Sequence, residues 1–194
     1  MKKIVPVLIF LMMGLSVFAQ QGLILGINGT VELKYSGTQD YVIAKIGDKL
    51  GQDTLISTGS RSSALIEVES TRITVRPLTR LVLAEIEVSD GIETLNMNLQ
   101  AGRIRLDITV PEGAKASTLV SSPLATASVR GTSFEFDTRN LYVNQGAVSF
   151  IGNQGIKVLV NTGAASRAEK DGKAVDPVEI RVSGLLPSVP AGKR

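Results

Sequence analysis

The residue types that usually carry chemistry are scarce in this sequence. It has no His, no Cys and no Trp. That removes Ser–His and Cys–His nucleophile pairs, and it leaves no imidazole or thiolate to hold zinc or copper. Carboxylates are the only groups left for acid–base work. Glu85 and Glu87 stand two apart, so on a strand they share a face. Glycoside hydrolysis needs two carboxylates across a cleft, and nothing in the sequence marks such a pair. Asp48 and Asp53 lack the dense Asp/Asn spacing of a calcium loop and read as turn residues. The expectation is therefore a chain that is not an enzyme, with no catalytic, cofactor-binding or metal residue to assign.

The basic residues offer binding instead. Arg72, Arg76, Arg80, Arg103 and Arg105 are spread through the middle of the chain. On a strand, Arg103 and Arg105 face away from Ile104 and Leu106 and form a small positive ledge. This is either a wet sheet face or a contact for an acidic partner or an envelope polymer. The most pointed arrangement is Arg130-Gly131-Thr132, set between two alternating apolar runs in SPLATASVRGTSFEFD (122–137). One reading is a partner-contacting arginine. The favoured reading is a structural corner: Gly131 takes a backbone angle that other residues resist, Arg130 pairs with a carboxylate or caps carbonyls, and Thr132 bonds locally.

The elements that must position these residues are strands. Apolar residues recur with period two at Val31, Leu33 and Tyr35; at Ala64, Ile66 and Val68; at Ile73 and Val75; and at Leu95, Met97 and Leu99. The longest stripe is Ile104, Leu106, Ile108 and Val110, and the series closes with Val148 and Phe150, then Ile156, Val158 and Val160. Such alternation buries one face and wets the other. No comparable helical stripe occurs, so the fold class is all-β. Ser89-Asp90-Gly91, Gly152-Asn153-Gln154-Gly155 and Asp171-Gly172 read as turns, because they offer residues that tolerate positive φ.

A faint repeat runs through the chain. Gly29, Gly102 and Gly146 are each followed by apolar residues two and four positions on. Thr58-Gly59-x-x-Ser62-x-Ala64 recurs as Thr162-Gly163-x-x-Ser166-x-Ala168. Repeated turn–strand units point to a single domain built as a short, irregular β-solenoid or β-roll-like stack, with a β-sandwich as the alternative.

The N-terminus reads as a leader. Lys2 and Lys3 precede an apolar run from Ile4 to Val17, and Val17-Phe18-Ala19 places small residues where a signal peptidase reads. Residues 1–19 are expected to be a signal peptide cut between Ala19 and Gln20. No cysteine follows to take a lipid, so the mature chain should be periplasmic or secreted, without a stable membrane anchor. The formal net charge is +3, two of it from Lys2 and Lys3, and aromatics make up 4% of the chain. Neither value fits a nucleic-acid footprint. The remaining divisions are a lead at 20–26, the β domain at 27–169, an edge hairpin or strand at 170–183, and a flexible tail at 184–194.

Taken in order, several blocks resemble a known family. They are Gly29-x-Val31, Gly47-Asp48-x-Leu50, Asp53-Thr54-Leu55-Ile56-Ser57-Thr58-Gly59, Ala64-Leu65-Ile66 and Leu99-Gln100-Ala101-Gly102-Arg103-Ile104. Then come Ser122-Pro123-x-Ala125-x-Ala127-x-Val129-Arg130-Gly131-Thr132-x-Phe134 and Leu141-Tyr142-Val143-Asn144-Gln145-Gly146-Ala147-Val148. Together they look like the FecR domain, the periplasmic sensing part of iron-transport regulators. The resemblance implies a β-rich, solenoid-like fold. In full-length regulators it also implies signal passage from an outer-membrane transporter to a sigma factor. With a leader directly before the domain, the expectation here is a stand-alone exported FecR-like domain of the bacterial envelope. It would meet a protein partner through a sheet edge or face. The rival is a carbohydrate- or cell-wall-binding module, disfavoured because Tyr35, Tyr41 and Tyr142 are the only residues among Trp and Tyr available for sugar stacking.

Overall fold

The computed structural model describes residues 21–113, 115–155 and 157–179. The leader with its Ala19–Gln20 cleavage site, Ile156, Ile180, Val182 and the tail at 184–194 lie outside them.

The described residues form strands, with no helix among them. In chain order the first are β1 (Gly22–Asn28), β2 (Val31–Lys34), β3 (Val42–Ile43), β4 (Lys49–Leu50), β5 (Thr54–Thr58) and β6 (Ser63–Val68). Next come β7 (Thr71–Val75), β8 (Arg80–Ser89), β9 (Ile92–Ala101), β10 (Arg103–Ile108), β11 (Lys115–Ser121) and β12 (Ala125–Val129). The last are β13 (Ser133–Asp137), β14 (Asn140–Gln145), β15 (Ala147–Gly152), β16 (Lys157–Asn161), β17 (Ala164–Arg167) and β18 (Val178–Glu179).

They form two open sheets. The first has the order β18-β17-β14-β13-β10-β7-β6-β1-β4, and the second β16-β15-β12-β11-β9-β8-β5-β2-β3. Past the first few strands, both sheets grow in the same direction as the chain advances. The chain lays down a hairpin in one sheet, crosses, lays down the next in the other, and so climbs along the stack. All pairings are antiparallel except β9 with β11. There the chain leaves the second sheet, runs through β10 in the first and returns, which is one true coil. The result is a two-layer roll that advances like a solenoid while pairing mostly through hairpins.

The alternating residues meet between the layers. Ile24, Ile66, Ile73, Ile104, Leu106 and Phe134 of the first sheet belong to one buried cluster with Leu33, Ile56, Leu83, Met97, Val120 and Val148 of the second. Phe136 and Phe150 meet edge-on across the layers, ring centroids 5.9 Å apart. Such aromatic pairs stabilise beyond their area burial. The stripe at Ile104, Leu106 and Ile108 is buried in β10, whereas Val110 lies past the strand end, half-buried in the crossing to β11.

Two regions differ from the sequence reading. Of the stretch 20–26, read as a lead, residues 22–26 belong to β1, which pairs with β6 and β4. Their alternation is hidden by Gly22 and Gly26 and by a register shift between Ile24 and Gly26. In β5, Thr54, Leu55 and Ile56 are buried in succession, so period two is absent there. The turn at Asp90-Gly91 does join a hairpin, with φ of 52° and 74°, as a type I′ connection requires.

Candidate functional site

The sheet-to-sheet crossings are where the repeat residues sit. Gly29 joins β1 to β2, Gly102 joins β9 to β10, and Gly146 joins β14 to β15, with φ of 73°, 85° and 88°. The repeat is thus a turn signature: a residue in left-handed backbone redirects the strand from one layer to the other.

Side-chain hydroxyls then fasten one crossing to the next. Thr58 Oγ1 donates to the Arg76 carbonyl at 2.6 Å and accepts from the Thr79 amide at 3.0 Å. Thr79 Oγ1 in turn accepts from the Arg103 amide at 3.0 Å and donates to its carbonyl at 3.1 Å. Ser62 Oγ accepts from the Thr30 amide at 2.9 Å, and Thr162 Oγ1 bridges the amide and carbonyl of Gly146 at 2.9 and 3.1 Å. Ser122 does a similar job at the Ser-Pro turn, bonding the Ala125 amide at 3.1 Å and the Thr138 carbonyl at 2.8 Å. These bonds engage backbone groups at the crossings, and the Arg103 carbonyl accepts from the Arg76 amide as well, at 3.0 Å.

Arg130-Gly131-Thr132 is the crossing from β12 to β13. Gly131 has φ of +78°. The Thr132 carbonyl accepts from the Ile108 amide at 3.1 Å, tying the corner to β10. The Thr132 side chain is 4% exposed, yet its Oγ1 has no hydrogen-bond partner. Its methyl group is turned on Gly146, where an added Cβ would lie 2.4 Å from Cγ2. The other such orphan among the described residues, Asn144 Nδ2, is close by in the fold. Ser133 pairs with Gln145 and Phe134 with Val143, so Asn144 is the extra residue of a bulge. Arg130 is exposed and has no ion-pair or hydrogen-bond partner among the described residues. Among the described residues it has neither the carboxylate nor the carbonyl partner expected for it, and Asp107, which lines the same cleft, is engaged by Arg105 and Ser133.

A cleft of about 830 Å³ opens at this corner. Arg130, Thr132, Lys115, Asp107, Val110 and Ile92 are among its lining residues. Asp107 accepts from Arg105 Nε at 3.0 Å and from the Ser133 hydroxyl. Burial raises the Asp107 pKa, but the hydrogen bonds from Arg105 and Ser133, with the Arg105 charge, outweigh it and hold the carboxyl below its ordinary value. The hydrogen bond to Asp107 likewise holds Arg105 above its ordinary value, against a smaller opposing effect of burial.

The expected positive ledge is a mixed-charge face. Arg103 pairs with Asp137 at 3.5 Å, Arg105 with Asp107 and Glu135, Arg76 with Glu135 at 3.6 Å, and Arg72 with Glu67 at 2.9 Å. The pairing of β10 with β13 puts Asp137 and Glu135 opposite Arg103 and Arg105, and that of β6 with β7 puts Glu67 opposite Arg72. Arg80 donates to the Tyr41 hydroxyl at 2.8 Å. Of the carboxylates weighed for catalysis, Glu85 accepts from Asn96 Nδ2 on the neighbouring strand, and Glu87 is exposed. Asp48 accepts from the Lys45 amide within its turn, and Asp53 takes φ of 60° in another. Among the described residues, no three His, Cys, Asp or Glu side chains cluster as metal ligands would.

Comparison with known proteins gives three findings. Residues 54–149 match the family model described as FecR protein. No curated protein matches the chain. Two crystal structures of a candidate anti-sigma factor from Parabacteroides distasonis ATCC 8503, at 1.65 and 2.50 Å resolution, share the fold with a TM-score of 0.52 at 15% identity. Each match spans 64% of this chain and 59% of that one. The matched stretch runs from β5 into β15 and includes the open corner at residues 130–132, so residues 54–149 form a FecR-type domain.

Proposed function

We propose that this chain is an exported, non-enzymatic sensing or interaction module of the bacterial cell envelope that meets a protein partner through a sheet edge or face. The observation carrying this reading is the FecR match over residues 54–149. Two further features support it. The sheets are open, and among the described residues β16 ends one of them with a single paired neighbour, leaving backbone groups for an added strand. The structural neighbour described as a candidate anti-sigma factor also belongs to signalling rather than to catalysis.

The test has two parts. N-terminal sequencing of the protein from a fractionated cell should find Gln20 as its first residue, in the soluble envelope or the medium. A photo-crosslinking side chain at Leu159, 57% exposed on β16, should capture one defined protein in cells, and adding Asn161→Pro on the same edge strand should abolish capture. A chain retaining Met1 on the membrane, or capture by the Leu159 probe that survives Asn161→Pro, contradicts the reading. Retention by a glycan array in place of protein capture would support the carbohydrate-binding rival.

A further inference from the structure

The corner at residues 130–132 differs from the other crossings in ways that point to a ligand. Elsewhere the crossing hydroxyls of Thr58, Ser62, Thr79 and Thr162 are engaged. Here Thr132 Oγ1 is buried and unpaired. A buried hydroxyl without a partner is unfavourable and rare in a settled fold. The arginines of the neighbouring sheet face have carboxylates, whereas Arg130 and Lys115 have none within ion-pair distance among the described residues. The two cations belong to the same end of adjacent strands. Val129 pairs with Thr118, which puts Arg130 just beyond β12 and Lys115 at the start of β11. The cleft's carboxylate, Asp107, is committed to Arg105 and Ser133. Val110 and Ile92 add apolar wall, and the volume of about 830 Å³ suits a small molecule.

We infer that this cleft binds a small organic carboxylate, with Arg130 and Lys115 holding the oxyanion and Val110 and Ile92 taking its apolar body. The planar guanidinium of Arg130 matches a carboxylate in two parallel hydrogen bonds, and Lys115 adds charge. Thr132 lines the same cleft, and its unpaired Oγ1 supplies a further donor. The inference rests on the proposed sensing role only for its biological meaning, since it names what would be sensed.

The test is an amide NMR titration of the mature protein with hexanoate, acetate and inorganic phosphate in parallel. Hexanoate should shift the amides of residues 115–117 and 130–133 saturably, and more tightly than acetate or phosphate. Arg130→Gln should weaken hexanoate by about tenfold or more, as loss of a charged hydrogen-bonding partner does. Thr132→Val should weaken it by a smaller factor, and Arg72→Gln on the paired sheet face should leave it unchanged. Titration without saturable shifts at the corner, equal response to acetate and hexanoate, or full binding by Arg130→Gln would overturn the inference. Failure here leaves the Leu159 crosslinking result untouched, and failure of that crosslinking leaves the titration untouched, so the two readings fail separately.

Discussion

Two corners of the same roll show what the fold requires and what it leaves over. At Thr79 and Gly102 the crossing is closed. The Thr79 hydroxyl holds both backbone groups of Arg103, and a Cβ on Gly102 would lie 2.3 Å from Thr79 Oγ1 and 2.5 Å from its Cα. Above it, Arg103 and Arg76 are paired with Asp137 and Glu135. At Gly131 the crossing is open. A Cβ there would meet only Val110 Cγ2, at an ordinary 3.5 Å. Thr132 Oγ1 and Arg130 lack partners among the described residues. Both corners turn the chain through a glycine of positive φ, so the turn itself does not need the empty cleft. The first corner is filled by the fold, and the second keeps polar groups in reserve.

The comparison can be broken by substitution. The largest effect is expected at the two glycines. Gly102→Ala should cost about 2–5 kcal/mol, combining left-handed strain with a backbone clash. Gly131→Ala should cost about 1–2 kcal/mol, from the strain alone. Equal losses in urea unfolding would mean the corners are packed alike.

Acid should act on the paired face next to the open corner. The Asp107 pKa is lowered in the folded chain. Its contribution is therefore present above the ordinary carboxylate pKa and is lost as pH falls through the folded value. Below about pH 4 the wild type should lose stability more steeply than Asp107→Asn. At pH 7 that variant should cost under about 1 kcal/mol, since the Arg105–Asp107 pair is partly exposed. Parallel acid limbs would show that Asp107 has no preferential partner in the folded state.

The smallest effect is expected at Arg130. With no partner to lose, Arg130→Ala should change stability by less than about 0.5 kcal/mol. A drop of several degrees in melting temperature would restore the carboxylate or carbonyl cap first read from the sequence.

The strands were legible wherever burial is one-sided. Ile104, Leu106 and Ile108, or Ala64, Ile66 and Val68, announce their face by alternation and are buried. Legibility failed where the pattern is broken by a bulge, as in β1, or where both faces are covered, as at Thr54, Leu55 and Ile56. The glycine repeat was visible, but its meaning as a change of layer depends on which sheet receives the next strand. The arginine ledge looked positive because Asp107, two residues from Arg105 on the same strand face, was not set against it, and because Glu135 and Asp137 come some thirty residues later, brought opposite by the pairing of β10 with β13. For the corner, the sequence pointed at Arg130-Gly131-Thr132 as a unit. It could not show which threonine hydroxyls find partners, because Thr79 and Thr132 are alike in sequence and differ in what faces them.

That difference between two threonines is the most direct test of the account. Thr79→Val and Thr132→Val remove the same hydroxyl at nearly constant volume, and thermal melting of both variants compares them in one measurement. Thr79→Val should lower stability by about 1–3 kcal/mol, because the Arg103 amide loses the hydroxyl that accepts from it. Thr132→Val should leave the melting temperature unchanged or raise it, because its hydroxyl satisfies nothing in the unliganded fold. If Thr132→Val melts as low as Thr79→Val, the corner at 130–132 is closed like its neighbour, and the account is wrong.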